Sequence, residues 1–354
     1  MKVTTIGIDL AKNVIQVHGV DERGKVVLRR QRRRGQVMDF FAQRPGCLVG
    51  MEACGSAHAW ARRLMKLGYT VKLMAPQFVK PYVKTNKNDA ADAEAICEAV
   101  TRPNMRFVPV KSEEQQAVLS LHRAGQGFVR QRTAQANQIR GLLAEFGIVI
   151  PQGIRHIARH LPEILEDAEN TLPGAFRQLL RQLGEHLKTL DELVRAMEVQ
   201  IQQWHGTNEA SQRVSAVAGV GALTASAMVA SVGDARNFSS GRQLAAWLGL
   251  VPRQHSTGGK SKLLGISKRG DVYLRTLLIH GARSVIAAAG RRKQSTAGRQ
   301  PAVQQRADRW LEAVIARRNR NVAAVALANK NARVIWALLA HGDRYQAFYP
   351  LVAA

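Results

Sequence analysis

Residues 86–95 read NKNDAADAEA, with Asp89 and Asp92 three apart in an alanine-rich run. Asn88 or Asp89 can cap a helix that the alanines propagate. Positions i and i+3 share a helical face, about 4.5 Å apart along the axis, so these carboxylates repel unless something sits between them. A divalent cation would justify the pair. The plainer alternative is a cap followed by a solvated first-turn acid, which the helix dipole favours. Two more acids favour the cation. Asp9 closes the stretch VTTIGID (3–9) and Glu52 closes CLVGME (47–52). If these are adjacent strands, their ends bring two carboxylates together, and a helix packed beside them adds Asp89 and Asp92. Four carboxylates in one place require cations, and hard oxygen ligands suit Mg2+ or Mn2+. Two such ions about 4 Å apart clamp a phosphodiester oxygen from both sides.

A second constellation lies in RQHSTGGKSK (253–262), where Ser256 and Thr257 precede Gly-Gly. Arg253, His255, Lys260, Lys262, Lys268 and Arg269 are close in sequence. Cations and glycine amides bind a phosphate and stabilise charge developing on it. A hydroxyl there can attack phosphorus if a bound Mg2+ or His255 helps remove its proton. A clamp whose hydroxyls only donate hydrogen bonds is the simpler reading of the residues alone. Gly219 and Gly221, ahead of an alanine-rich helix, suit a helix-hairpin-helix turn that brings backbone N–H groups to a phosphate; a plain tight turn is the alternative. In RRQRRR (29–34), Arg29, Arg30, Arg32, Arg33 and Arg34 are expected to contact phosphate with a salt-dependent affinity, rather than form only a solvated loop. His156 with His160, and Cys54 with His58, are each at most half a zinc site and are expected to be structural.

The elements that position these groups are legible as patterns. VTTIGID, VIQVHGV (14–20) and KVVLRR (25–30) read as strands, with DERG (21–24) as a turn. A helix over RGQVMDFFAQ, the mostly apolar strand CLVGME, a glycine-stopped helix over 56–68, the strand YTVKLM (69–74) and the NDAAD helix follow. The order is βββ, α, β, α, β, α. From 176 to 204, Phe176, Leu180, Leu183, Leu187, Leu190, Val194, Met197, Ile201 and Trp204 recur in steps of four and three. That is an a/d seam of four heptads, expected to dimerise, with an intramolecular helical hairpin as the alternative. A helix near 113–146 precedes it, and KNARVIWALLAHG closes the chain's helical part.

The 354 residues allow two or three domains. Cys47, Cys54 and Cys97 form no CxxC pair, which argues against a disulfide framework or structural zinc. MKVTTIGIDL turns polar too soon for a signal peptide, and no membrane association is expected; a cytoplasmic, nucleoid-associated location is. Net charge is +26. Residues 1–108 carry 19 basic and 9 acidic residues, 109–208 carry 11 of each, and 209–354 carry 22 and 6. Two basic ends flank a neutral middle, so a polyanion is the expected partner and nucleic acid the first candidate.

The order GID, an apolar strand ending ME, then NDAAD resembles the RuvC/RNase H-like fold, and within it the DEDD-type insertion-sequence recombinases: the insertion-sequence one-ten family, eleven-eleven subgroup. Actin-like kinases share the opening Asp, but Leu10-Ala11-Lys12 cannot cradle phosphates as their glycine-rich turn does. GLVPRQHSTGGK, then GISKRGD, resembles the same family's second conserved domain. The resemblance implies that Asp9, Glu52, Asp89 and Asp92 bind metal, that a serine forms a covalent DNA ester, and that one site draws on two subunits, as a homodimer or dimer of dimers. It also implies that some members use a structured guide-type RNA encoded in the element's flank. The family serine directly precedes glycine; here Thr257 does, so Ser256 is taken as the nucleophile with Thr257 as the alternate. The expected domains are a RuvC/RNase H-like α/β domain (1–108), a helical coiled-coil segment (109–208) and a mainly α C-terminal domain with a helix-hairpin-helix-like element and the serine loop (209–354). The rival functions are a plain RuvC-like Mg2+-dependent nuclease and a non-enzymatic nucleic-acid-binding protein.

Overall fold

The structure, a computed structural model, describes residues 2–84, 88–294 and 302–345, with only the backbone at 292–294 and 302–309. The chain divides into two compact units, Met1–Gln116 and Ala117–Ala354.

In the first unit the strands are β1 (Thr5–Leu10), β2 (Val14–Val20), β3 (Val26–Arg33), β4 (Leu48–Glu52), β5 (Thr70–Met74) and β6 (Phe107–Val108). The helices are α1 (Val37–Ala42), α2 (Ala57–Lys66), α3 (Pro76–Val79) and α4 (Asp89–Ala99). The strands form one mixed sheet in the order β3-β2-β1-β4-β5-β6. β1, β4 and β5 run parallel, while β2 and β3 return as hairpin strands. Strand pleating sends alternate residues to opposite faces. On one face Ile6, Ile8, Ile15, Val17, Val49 and Met51 pack against Phe41 of α1 and Trp60 and Leu64 of α2. The other face carries α4, which buries Ala95, Ile96, Ala99 and Val100 against Met74 and Val79. Two paired glycines admit that helix: a Cβ on Gly7 would lie 2.2 Å from the Ala93 carbonyl oxygen, and one on Gly50 would lie 2.7 Å from the Val100 Cβ.

The arginine run is not the loop that one reading allowed. Residues 29–33 continue β3, three residues beyond the expected strand end, and β3 is the sheet's outer strand. Charged residues on such an edge also block pairing with another sheet. The pleat divides the run. Arg32 lies over the Phe40 ring at 5.0 Å, and Arg34, just past the strand, lies over Trp60 at 5.3 Å. Arg29 and Arg33 fall on the α4 face, because they pair with His18 and Val14.

The second unit takes in most of α5 (Glu113–Ala144), then α6 (Ile154–Glu166), α7 (Gly174–Thr207), α8 (Glu209–Ser215), α9 (Ala222–Val232) and α10 (Gly241–Trp247). A two-stranded hairpin, β7 (Pro252–Thr257) and β8 (Lys260–Ile266), precedes α11 (Val272–Gln294), α12 (Ala302–Arg317) and α13 (Arg320–His341). The heptad seam of α7 is filled by the chain's own helices. Leu180 and Leu187 pack with Ile139 and Leu143 of α5 and Ile157 and Leu161 of α6. Contacts of α5 and the turn after it with α7 step in opposite directions: Phe146, two residues past α5, stacks on Phe176, Gln135 meets His186 and Arg132 meets Asp191 at 2.6 Å. This is the antiparallel intramolecular hairpin, the alternative to a seam left open for a second chain.

A second core gathers Met228, Leu244, Leu248, Leu274, Leu278 and Ile335. α13 starts ten residues before the expected closing segment, at Arg320. It is the one described helix long and apolar enough to cross a membrane, and it buries Ala324, Leu327, Ala328, Ala332, Ile335 and Leu338 inside the unit. The basic stretch RRKQ (291–294) lies, beyond Arg291, outside the described side chains.

Candidate active site

Three of the four expected acids converge. Asp9, Asp89 and Asp92 each offer a carboxylate oxygen within 4.8 Å of the others, in the one such cluster of acid, His or Cys groups among the described residues. The local structure explains the convergence. Asp9 lies near the end of β1 on the α4 face, two residues beyond Gly7, over which α4 packs. Asn88 caps α4, its side chain accepting from the Ala90 N–H at 2.9 Å. That cap starts the helix at Asp89 and sets Asp89 and Asp92 on its first turn. Asn86 and Lys87, just upstream, lie outside the described residues.

Glu52 is one position past the last β1–β4 pair, Ile8 with Met51, and so follows as the neighbour of Asp9 on the same face. It is not within the 4.8 Å cluster. Burial, then the charges of Glu52 and Asp9, push the Cys54 thiol up, so both carboxylates act on that thiol. The set is all-oxygen and partly exposed, and repulsion between its members is relieved by a hard cation. The donor set fits a hard divalent cation such as Mg2+ or Mn2+, which Asp9, Asp89 and Asp92 would hold.

The histidine and cysteine pairs do not join it. His58 Nδ1 accepts from the Lys111 N–H at 3.1 Å. The His156 and His160 rings stack at 6.3 Å, and His160 contacts Glu163 at 3.1 Å.

In the second unit, the residues around Ser256 form the β7–β8 hairpin, a β element inside the part read from sequence as mainly helical. Gly258 and Gly259 have φ of +53° and +77°, the turn that a two-residue hairpin of right-handed twist requires. The hairpin is exposed almost throughout. Its register pairs Ser256 with Ser261 and Gln254 with Leu263 on one face, and Thr257 with Lys260 and His255 with Lys262 on the other. His255 therefore lies on the opposite face of the hairpin from Ser256. Ser256 Oγ instead accepts from the Gln254 amide at 2.8 Å. Lys260 and Lys262 stand on the Thr257 face. At the hairpin's base, buried Arg275 donates to the carbonyls of Leu248 at 3.1 Å and Arg269 at 3.0 Å, and Lys268 adopts φ +55°. This clamp leaves Lys268 and Arg269 exposed, as is Arg253 on β7.

Gly219 and Gly221 join α8 to α9, but Gly219 has a packing role. A Cβ there would lie 2.7 Å from the Gly281 carbonyl oxygen of α11, so the glycine lets two segments touch. Gly221 precedes α9 with open space where a Cβ would stand.

The chain resembles known proteins along almost its whole length. A family model described as a transposase (DEDD, IS110) matches residues 6–148, spanning all four acids. A second, described as the transposase IS116/IS110/IS902 family, matches residues 211–297, spanning Gly219 and the hairpin. The chain is 55% identical over 347 residues to a probable family 20 transposase of Pseudomonas aeruginosa, covering 98% of this chain and 99% of that protein. It is 46% identical to the transposase for insertion sequence element IS1111A of Coxiella burnetii, over 97% of this chain and 92% of that one. The identity is 43% to the IS1328 transposase of Yersinia enterocolitica, over 96% and 98%.

Proposed function

The chain belongs to the IS110 family of insertion-sequence transposases, and from that premise we propose that it cleaves and rejoins DNA through a covalent ester on Ser256, in a reaction dependent on Mg2+ or Mn2+. The observation that carries the metal-dependent part is the meeting of Asp9, Asp89 and Asp92 from a strand and a helix 80 residues apart. Asp9, Glu52, Asp89 and Asp92 would hold the metal, which when bound supplies positive charge at the phosphodiester oxygens.

In the first step Ser256 Oγ bonds to phosphorus and its proton leaves. The P–O bond to one DNA strand end breaks, and the oxygen released takes up a proton as a hydroxyl. In the second step a DNA hydroxyl attacks the serine ester, reforms a phosphodiester and returns the Ser256 hydroxyl. Each step exchanges one phosphate ester for another, so no nucleotide hydrolysis is needed. The Gln254 amide orients Ser256 Oγ. Thr257, on the hairpin face with Lys260 and Lys262, is the alternate nucleophile. Arg29, Arg33, Arg253, Lys260, Lys262, Lys268 and Arg269 would contact phosphates. A structured guide-type RNA is a second polyanionic partner in this reading, supported by the charge excess at both ends of the chain. Assembly as a homodimer or dimer of dimers also belongs to it; with the α7 seam filled, the contact would use an outward face, where Leu179 and Val199 are exposed.

The test is an SDS-resistant protein–DNA adduct, formed by the full-length protein with end-labelled DNA of its own element. Ser256→Ala should remove the adduct and lower strand exchange about a thousandfold or more, while Thr257→Ala retains it. Asp9→Asn should abolish both adduct and cleavage. Cleavage that survives the double Ser256→Ala, Thr257→Ala substitution would instead identify a plain nuclease using activated water. Transposition undiminished by Asp9→Asn would leave only a binding protein.

A further inference from the structure

Beside the carboxylates runs a groove of about 370 Å3 between β2–β3 and α4. One wall is Gln16 and His18 of β2 with Arg29 and Gln31 of β3; the other is Ala90, Ala91 and Ala93 of α4. The strand register explains the first wall. Gln16 pairs with Gln31 and His18 with Arg29, so all four side chains leave the sheet on the α4 face. Asp9 pairs with Gln16 across β1 and β2, which places the groove's mouth next to the acid cluster. We propose that this groove receives one unpaired nucleobase of the DNA strand whose phosphate lies at Asp9, Asp89 and Asp92. The proposal rests on the reading of those acids as the cleavage centre.

The chemistry of the walls favours a base over a phosphate. His18 is only 4% exposed, yet its ring makes no hydrogen bond among the described residues. Burial holds its imidazole below the usual histidine range, so it stays neutral near pH 7 and presents one donor and one acceptor. Two arginines line the groove: Arg30 alternates to the opposite face of the sheet, and Arg29 sits 3.7 Å from the Glu94 carboxylate, which also lines the groove. A phosphate entering would compete with that carboxylate for Arg29 and otherwise meet three neutral side chains. A nucleobase presents a flat apolar face to the alanines and an edge of donors and acceptors to the two glutamine amides and the imidazole. Glutamine amides are suited to paired contacts of this kind. Enzymes that do chemistry on a base draw it out of the stack and read its edge with such contacts, and a groove of this kind can hold an unstacked base in the same way.

The experiment uses the full-length protein with Ca2+ and a pool of deoxyoligonucleotides carrying 5-iodo-2′-deoxyuridine, irradiated and mapped by peptide mass spectrometry. Crosslinks are expected within residues 14–31, centred on His18, and also on the β7–β8 hairpin. Gln16→Ala combined with Gln31→Ala should lower the first set roughly tenfold while the hairpin set persists. Both glutamines are at least partly exposed, so the variant should remain folded, as persistence of the hairpin crosslinks would show. Hairpin crosslinks without any in 14–31, or crosslinks in 14–31 that ignore the double substitution, overturn the groove proposal alone. Cleavage by Asp9→Asn equal to wild type overturns the parent reading, and no crosslinks anywhere overturns both.

Discussion

At the scale of single residues, the acids were readable because each has a pattern around it: a strand end, or a capped alanine helix. His122 has none, and sequence reasoning passed over it. It is 2% exposed in the second unit, with its ring nitrogens 3.0 Å from the Tyr273 hydroxyl and 3.1 Å from Ser226 Oγ. Ser226 Oγ already donates to the Ala222 carbonyl at 2.7 Å, so it accepts from His122 Nε2–H. His122 Nδ1 is then the acceptor for the Tyr273 hydroxyl. The ring is wired as a neutral imidazole, and burial lowers its pKa to about 4. The sign follows from proton binding. Between about pH 6.5 and 4 the unfolded chain binds a proton here that the folded chain refuses, so stability falls as pH falls through that window. The total loss is roughly 3 kcal/mol, fully restored above pH 6.5. Urea unfolding at several pH values should show this slope in wild type and a flatter one in His122→Gln. Identical slopes would mean that the imidazole titrates normally in the folded state.

At the scale of elements, the strand order and the α4 helix were legible because apolar runs and alanine spacing are local signals. What was not legible is how closely α4 lies on the sheet. That depends on Gly7 and Gly50, which are neighbours only once β1 and β4 pair. The hairpin was missed for a related reason. STGGKS carries the Gly-Gly turn, but its strands are polar and exposed, so no apolar alternation announces them. The α7 seam shows the limit of heptads: its period was right, yet the same period serves a partner chain and the chain's own α5 and α6. Gly7→Ala tests the contribution of α4 to the acid cluster. The added methyl meets backbone at 2.2 Å and 2.4 Å, from Ala93 and Cys97, so α4 must shift. We expect a loss of stability of about 1–3 kcal/mol. Under the proposed metal role, Mg2+ should raise the wild-type thermal midpoint by binding the folded state, and Gly7→Ala should lose that rise. A variant with unchanged stability and an unchanged Mg2+ response would show that the helix does not set the carboxylate geometry.

At the scale of the whole molecule, the +26 net charge is concentrated at the two ends of the sequence. The structure refines which cations are free to act. Arg32 and Arg34 are stacked on aromatic rings and Arg275 is buried in a clamp, whereas Arg29, Arg30, Arg33 and the cations of the hairpin are exposed, Arg29 with Glu94 3.7 Å away. Six or more phosphate contacts from such residues predict that DNA affinity falls about a thousandfold or more between roughly 50 and 200 mM salt. A structured RNA partner would behave differently from random fragments held by the same field. Random nucleic acid, held by counterion release alone, should wash off as salt rises, leaving a broad set of sequences in the eluate. An RNA that also fits shape and unpaired bases should survive the wash as one discrete species encoded beside the element. Sequencing what remains on protein expressed with its native flanking DNA, after a high-salt wash, separates the two. One flank-encoded RNA would place target choice in that RNA. An empty or random residue would place it in the protein's own contacts, of which the groove beside Asp9 is the first to examine.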